Sequence, residues 1–115
     1  MGATPFLADV LAVEQVKERD LSSWKRFVCA GAAVPESVLE HADATLPCVV
    51  LPGWGMTECA LLTVGRPSDS LTLRLTDGCP LPGNDVRVID DDGESVVGTE
   101  GHLQCRGSEL FVGYV

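Results

Sequence analysis

Cys48-Val49-Val50-Leu51-Pro52-Gly53-Trp54-Gly55-Met56-Thr57-Glu58 is the stretch on which the fold turns. Cys48 to Leu51 is a short, wholly apolar run bounded by Pro47 and Pro52, the pattern of a strand covered on both faces. Upstream, Trp24 to Cys29 (WKRFVC) reads as a second strand that runs into Ala30-Gly31-Ala32-Ala33. Residues that small let another group approach the backbone closely. Between the two runs Pro35 opens a helix, with Glu36 in the first turn, where the helix dipole favours an anion. Val38, Leu39 and Ala42 supply its apolar face. Strand, helix, strand in that order predicts a parallel pair joined by a crossover helix. Gly53-Trp54-Gly55 is then expected to be the turn after the second strand. In open α/β sheets ligands bind at the carboxyl ends of the strands, so that turn is the first place to look for a site.

Further out, Thr4-Pro5 predicts a helix start, with Thr as a cap and Pro in the first helical position. Phe6, Leu7, Val10, Leu11 and Val16 follow at helical spacing, and Lys17-Glu18-Arg19-Asp20 is expected to close that helix in solvent. The composition changes character near Gly65. Beyond it, Leu71, Leu73 and Leu75 alternate with polar residues and predict a strand. Val86, Val88 and Ile89, then Ser95-Val96-Val97, then His102 to Arg106, and finally Leu110 to Val115 extend the β pattern. Asp90-Asp91-Asp92-Gly93-Glu94 reads as a solvated hairpin turn, since its spacing is not that of a calcium loop. The expected fold class is α/β, a strand-helix-strand portion of a parallel sheet followed by a small antiparallel β-barrel-like portion. The division falls into residues 1–65, the α/β part, and 66–115, the β-rich part.

Composition narrows the function classes. The chain has 115 residues, 45% of them hydrophobic and 22% charged, enough apolar material for one packed domain. Its 17 acidic and 8 basic residues leave a net charge of −9, which argues against a nucleic-acid surface and against a polybasic membrane patch. No apolar run reaches the roughly 18 residues of a membrane span, and no basic segment precedes an apolar one as in a secretory signal. The five cysteines are odd in number and lack a CxxC pair, which points to reduced thiols and a cytoplasmic location. Met1-Gly2 leads straight into a helix, and Phe111 to Val115 stops in what reads as a strand; both predict a piece of a longer protein.

Two clusters carry chemistry. In Gly53-Trp54-Gly55-Met56-Thr57-Glu58, a flat aromatic between glycines suits stacking on a base or ring. The hydroxyl of Thr57 and the carboxylate of Glu58 suit a phosphate oxygen and the hard cation that accompanies it. A tight turn with a core tryptophan and a surface glutamate fits the same residues. Gly31-Ala32-Ala33-Val34-Pro35 also follows a strand and opens a helix, where anions are favoured, but it holds no Lys, Ser or Thr and is not a P-loop. Close backbone packing fits it equally. His41 and His102 have no visible nucleophile partner.

These two clusters, together with Gly101-His102-Leu103-Gln104-Cys105-Arg106-Gly107 through Gly113-Tyr114, resemble consecutive motifs of the adenylate-forming enzymes. That superfamily includes acyl-CoA synthetases, firefly luciferase and peptide-synthetase adenylation domains. The resemblance spans nearly the whole chain and identifies it as an internal fragment of the large N-terminal domain. Gly2-Ala3-Thr4-Pro5-Phe6-Leu7 and Cys29 to Pro35 look most like acyl-CoA ligases of the cyclohexanecarboxylate-CoA ligase type. The resemblance implies that Trp54 stacks on adenine, where the family more often has Tyr, and that Gly31, Ala32 and Ala33 form the opposite side of the slot. Gly55 and Met56 complete the AMP-binding segment. It implies that Thr57 contacts the α-phosphate and that Glu58 binds Mg²⁺, making these two the catalytic pair. It places Gly53, Gly55 and Cys59 at the acyl pocket and gives Gly101 to Tyr114 a mainly structural role.

The implied activity is an ATP-dependent carboxylic acid-CoA ligase, with ATP, Mg²⁺ and coenzyme A as cofactors and co-substrates. Partners are a small carboxylic acid, ATP, CoA and the remainder of the parent chain. A domain that loads a carrier protein and a non-catalytic nucleotide-binding module are the alternatives. The family's Lys-bearing phosphate loop, its ribose-gripping Asp and its mobile C-terminal domain have no counterpart in these residues. Ligase activity is therefore expected of the parent and not of this chain alone. A cut sheet is also expected to self-associate through its unpaired edges.

Overall fold

The computed structural model describes residues 1–114. In chain order the elements are α1 (Thr4–Leu11), a 3-10 turn (Val16–Glu18), β1 (Arg26–Ala30), α2 (Glu36–Thr45), β2 (Val49–Met56), β3 (Ala60–Val64), α3 (Leu71–Arg74), β4 (Cys79–Pro80), β5 (Asn84–Ile89), β6 (Ser95–Val96) and β7 (His102–Gly107). They form two sheets, one ordered β1-β2-β3-β4 and one ordered β6-β5-β7.

The strand-helix-strand expectation holds. β1 and β2 pair in parallel from Arg26↔Val49 to Ala30↔Gly53, and α2 is the crossover. Leu7 and Leu11 of α1, Leu39 and Ala42 of α2, and Cys29 and Val50 of the strands are buried together as the main core. β2 is buried from Val50 through Gly53, as its apolar run requires. The second sheet is antiparallel throughout, where the sequence placed the barrel-like portion. Its β5–β6 connection is the expected acidic hairpin turn: Asp90 Oδ1 accepts the Asp92 and Glu94 amides at 3.1 and 2.8 Å. No helix among the described residues is long and apolar enough to cross a membrane.

Five local expectations are corrected. Thr4 does not cap α1; it lies inside the helix, Ala3 is the N-cap residue, and the Thr4 hydroxyl reaches the Ala33 carbonyl at 3.3 Å instead. α1 ends at Leu11, and Val16 packs from the separate 3-10 turn, so the first helical pattern was two short elements sharing one core. Gly53-Trp54-Gly55 is not a turn. The strand runs on to Met56, and the reversal comes one step later, at Thr57-Glu58-Cys59. Residues 110–114 form no strand; Val115 of that expected strand lies outside the described residues.

The fifth correction is Leu71 to Leu75, a helical turn and not a strand. The Ser70 hydroxyl caps it by accepting the Leu73 amide. The burial is inverted as well: Leu73 is 53% exposed and Arg74 only 6%. Arg74 donates to both carboxylate oxygens of Asp43 on α2 and, at 3.3 Å, to the Val50 carbonyl in β2. A buried cation is tolerated only when paired in this way. Asp43 also raises the Arg74 pKa, chiefly through their hydrogen bond. Arg74→Met is expected to destabilise the protein by about 2–3 kcal/mol, because it strips Val50 and Asp43 of their donor. Urea denaturation checks this, and the double change with Asp43→Asn should cost less than the two single changes added together.

Candidate functional site

The site begins where β1 and β2 stop being covered. Their last registered pair is Ala30↔Gly53. Just past it, Gly31 adopts φ +94°, a left-handed conformation that costs side-chain-bearing residues about 1–2 kcal/mol. This turns the chain away from the sheet and presents Gly31, Ala32 and Ala33 as an exposed ledge. The Thr4 hydroxyl holds the ledge from beneath through the Ala33 carbonyl.

Opposite the ledge, β2 continues as Gly53-Trp54-Gly55. The β2–β3 pairing slips between Trp54 and Gly55, and a bulge of this kind re-aims a side chain. Trp54 is half-buried. Ledge and strand enclose a cleft of 320 Å³ lined by Gly31, Ala32, Ala33, Gly53, Trp54, Gly55 and Asp77. A second hollow of 150 Å³ shares Ala32, Ala33, Gly53 and Asp77 with it and extends toward Val34 and Pro52.

All six expected site residues before Met56, Gly31, Ala32, Ala33, Gly53, Trp54 and Gly55, therefore converge on one cleft from two distant parts of the chain. Met56, Thr57 and Glu58 do not line it. They leave it along β2 into the exposed turn. Cys59 also stays outside: it is 1% exposed, beside Cys105, whose thiol is pushed up by desolvation and then by Cys59.

The turn is not free. The Phe111 amide donates to the Glu58 carbonyl at 2.9 Å, and the Tyr114 hydroxyl donates to Glu58 Oε1 at 2.5 Å. The Tyr114 bond holds the Glu58 carboxyl below its ordinary range, and the same bond raises the phenol. Glu58 thus stands as a half-exposed, ionised carboxylate at the mouth of the turn. Among the described residues no three His, Cys, Asp or Glu are grouped to hold a metal. One carboxylate on an open turn instead fits Mg²⁺, which keeps several waters and takes its other ligands from substrate phosphates.

Two members of the site were not foreseen. Asp77 enters because Gly78, at φ +78°, packs its bare Cα against the Val64 backbone, and the Thr63 hydroxyl donates to the Asp77 carbonyl at 2.6 Å. The Asp-Gly pair signals a turn but not its destination. Tyr114 lies 56 positions from Glu58, a separation that no local pattern encodes. A larger groove of 490 Å³ lies on the second sheet beside Leu110; there Arg106 pairs with Asp85, and Arg87 Nε donates to the neutral Gln104 amide oxygen.

The family model for AMP-binding enzymes matches residues 1–115. The long-chain-fatty-acid–CoA ligase of Haemophilus influenzae is 32% identical over 114 residues, covering 98% of this chain and 20% of that protein. The chain thus spans about a fifth of the length of the curated relatives it matches. Among solved structures, the amide bond synthetase McbA from Marinactinospora thermotolerans superposes with a TM-score of 0.88 at 28% identity, over 97% of this chain and 23% of that one. The anthranilate CoA ligase AuaEII in complex with anthranoyl-AMP superposes with a TM-score of 0.79 at 26% identity, over 94% and 21%.

Proposed function

This chain belongs to the AMP-binding enzyme family, and from that premise we propose that it forms one wall of the nucleotide and acyl site of an acid–CoA ligase. The observation that carries the reading is the convergence of the Gly31–Ala33 ledge and Gly53-Trp54-Gly55 on one cleft, with the Thr57-Glu58 turn directly after it. Adenine lies flat in that cleft, between the Trp54 ring and the backbone of the ledge. Small residues matter there because a larger side chain at position 31 or 32 would fill the space the base needs.

The strand leads from the base toward the phosphates. Thr57 donates its hydroxyl to the α-phosphate, and Glu58 holds Mg²⁺. Bound there, the metal supplies charge neutralisation for the phosphates. A carboxylate oxygen of the acid attacks the α-phosphorus, the α–β bridging P–O bond breaks, and pyrophosphate departs. The thiolate of coenzyme A then attacks the acyl carbonyl, forming the thioester and expelling AMP. Little covalent work falls to the protein in the first step, so positioning and fixed charge dominate. Gly53 and Gly55 border the acyl end, whereas Cys59, expected there, is buried beside Cys105 and takes no part in it. The residues visible there are small and apolar, which suits an alicyclic, aryl or fatty acid better than an amino acid, whose ammonium group requires a partner.

A panel of such acids, cyclohexanecarboxylate and medium- and long-chain fatty acids among them, tests the reading in the complete protein. One acid should give AMP and an acyl-CoA by mass spectrometry. The likeness to an amide bond synthetase favours including an amine acceptor and a carrier-protein thiol beside coenzyme A. Preference for either would move the second half-reaction and leave the first intact. Trp54→Ala is expected to raise the KM for ATP about tenfold with a smaller effect on kcat, since stacking on one base contributes about 1–3 kcal/mol. Steady-state kinetics at varied ATP checks it.

A further inference from the structure

We propose that Tyr114 is a positioning residue for Glu58, latching one carboxylate oxygen so that the other alone faces the cation. The inference rests on the reading of Glu58 as the metal-holding group.

A glutamate has three rotatable side-chain bonds, and on an exposed turn nothing local fixes them. Here two contacts from a distant segment do so. The Phe111 amide holds the Glu58 carbonyl at 2.9 Å, which fixes the backbone of the turn. The Tyr114 hydroxyl holds Oε1 at 2.5 Å, which fixes the head group. The tyrosine is itself set by the Phe111 ring, edge-to-face with centroids 4.7 Å apart. Backbone anchor, ring support and hydroxyl latch thus come from five consecutive residues, Leu110 to Tyr114, that form no regular element and otherwise make little core.

The consequence is chemical. With Oε1 engaged by a hydroxyl proton, Glu58 offers Oε2. One carboxylate oxygen suits an octahedral ion that retains its waters, whereas Ca²⁺ readily takes both oxygens of a carboxylate. The latch therefore raises affinity for Mg²⁺ by preorganising the ligand and disfavours Ca²⁺ by withholding the second oxygen. Its loss leaves the ring packing intact, because Tyr114→Phe removes only the hydroxyl.

The test uses the complete protein. Binding of Mn²⁺–ATP without acid is followed by electron paramagnetic resonance, and acid-dependent ATP–pyrophosphate exchange is followed against Mg²⁺ concentration. Tyr114→Phe should weaken Mn²⁺–ATP binding about tenfold and raise the half-saturating Mg²⁺ by a similar factor. Exchange at saturating Mg²⁺ should stay within about twofold of the original, and Ca²⁺ should compete more strongly with Mg²⁺. Tyr114 is 74% exposed, so no core is lost in the variant. Phe111→Ala, which removes the ring support, should shift metal affinity in the same direction by less. Unchanged Mn²⁺–ATP affinity in Tyr114→Phe overturns the latch, as does a fall in exchange rate that saturating Mg²⁺ does not restore. If the unsubstituted protein neither binds Mn²⁺–ATP nor exchanges pyrophosphate, the reading of Glu58 fails, and that result is distinct from either of the others.

Discussion

Glu58→Gln in the complete protein is expected to lower acid-dependent ATP–pyrophosphate exchange by about 100-fold or more while leaving the fold intact. The change is isosteric, so the turn Thr57-Glu58-Cys59 keeps its shape. The carboxamide oxygen can still accept the Tyr114 hydroxyl, and the backbone carbonyl still accepts the Phe111 amide. What disappears is the negative charge, and with it the ability to hold a divalent cation against competing water. Because Glu58 is half-exposed and buries no core, the melting temperature should stay within about 2 °C. Circular dichroism and thermal melting separate loss of chemistry from loss of structure. Near-normal exchange in a well-folded variant would remove Glu58 from the reaction.

Gly55→Ala should damage both stability and activity. A Cβ on Gly55 would sit 1.9 Å from the Ala60 carbonyl oxygen and 2.9 Å from the Leu61 Cα, all backbone atoms of the paired strand. No rotamer relieves a clash with backbone. Either β3 moves away, breaking the Gly55↔Leu61 and Met56↔Ala60 pairing, or the bulge shifts and swings Trp54 out of the cleft. Overpacking of this kind costs about 1–3 kcal/mol. The expected result is a lower melting temperature with a KM for ATP raised at least as far as in Trp54→Ala. A variant with unchanged melting temperature and unchanged KM would mean that the bulge does not position the aromatic ring.

Why some of this was legible in the sequence, and some not, follows from particular residues. The parallel pair was legible because Cys48 to Leu51 is apolar without alternation, the pattern of a buried strand when it is this short and bounded by prolines, and because a helix stood between it and the previous strand. The glycines at 53 and 55 lie within β2 and do not form the expected turn. Glycine marks close backbone approach as well as reversal, and here β3 approaches; composition cannot tell the two apart. Leu71, Leu73 and Leu75 alternate as a strand would, but the tertiary pairing of Arg74 with Asp43 overrides the alternation and leaves two of the leucines in solvent. The site divides the same way. Trp54, Thr57 and Glu58 sit in one contiguous motif that the sequence displays, and of the three Trp54 lines the cleft. Asp77 and Tyr114 reach the site through the packing of Gly78 and the path of residues 110–114, which depend on the assembled fold.

Under the proposed function, this cleft and turn belong to a carboxylate-adenylating site. Exchange of labelled pyrophosphate into ATP by the complete protein, with a carboxylic acid present and coenzyme A absent, tests it most directly. Exchange should require both Mg²⁺ and one apolar acid of the panel, and should collapse in Glu58→Gln. No exchange with any acid, from a folded protein that binds ATP, would contradict it.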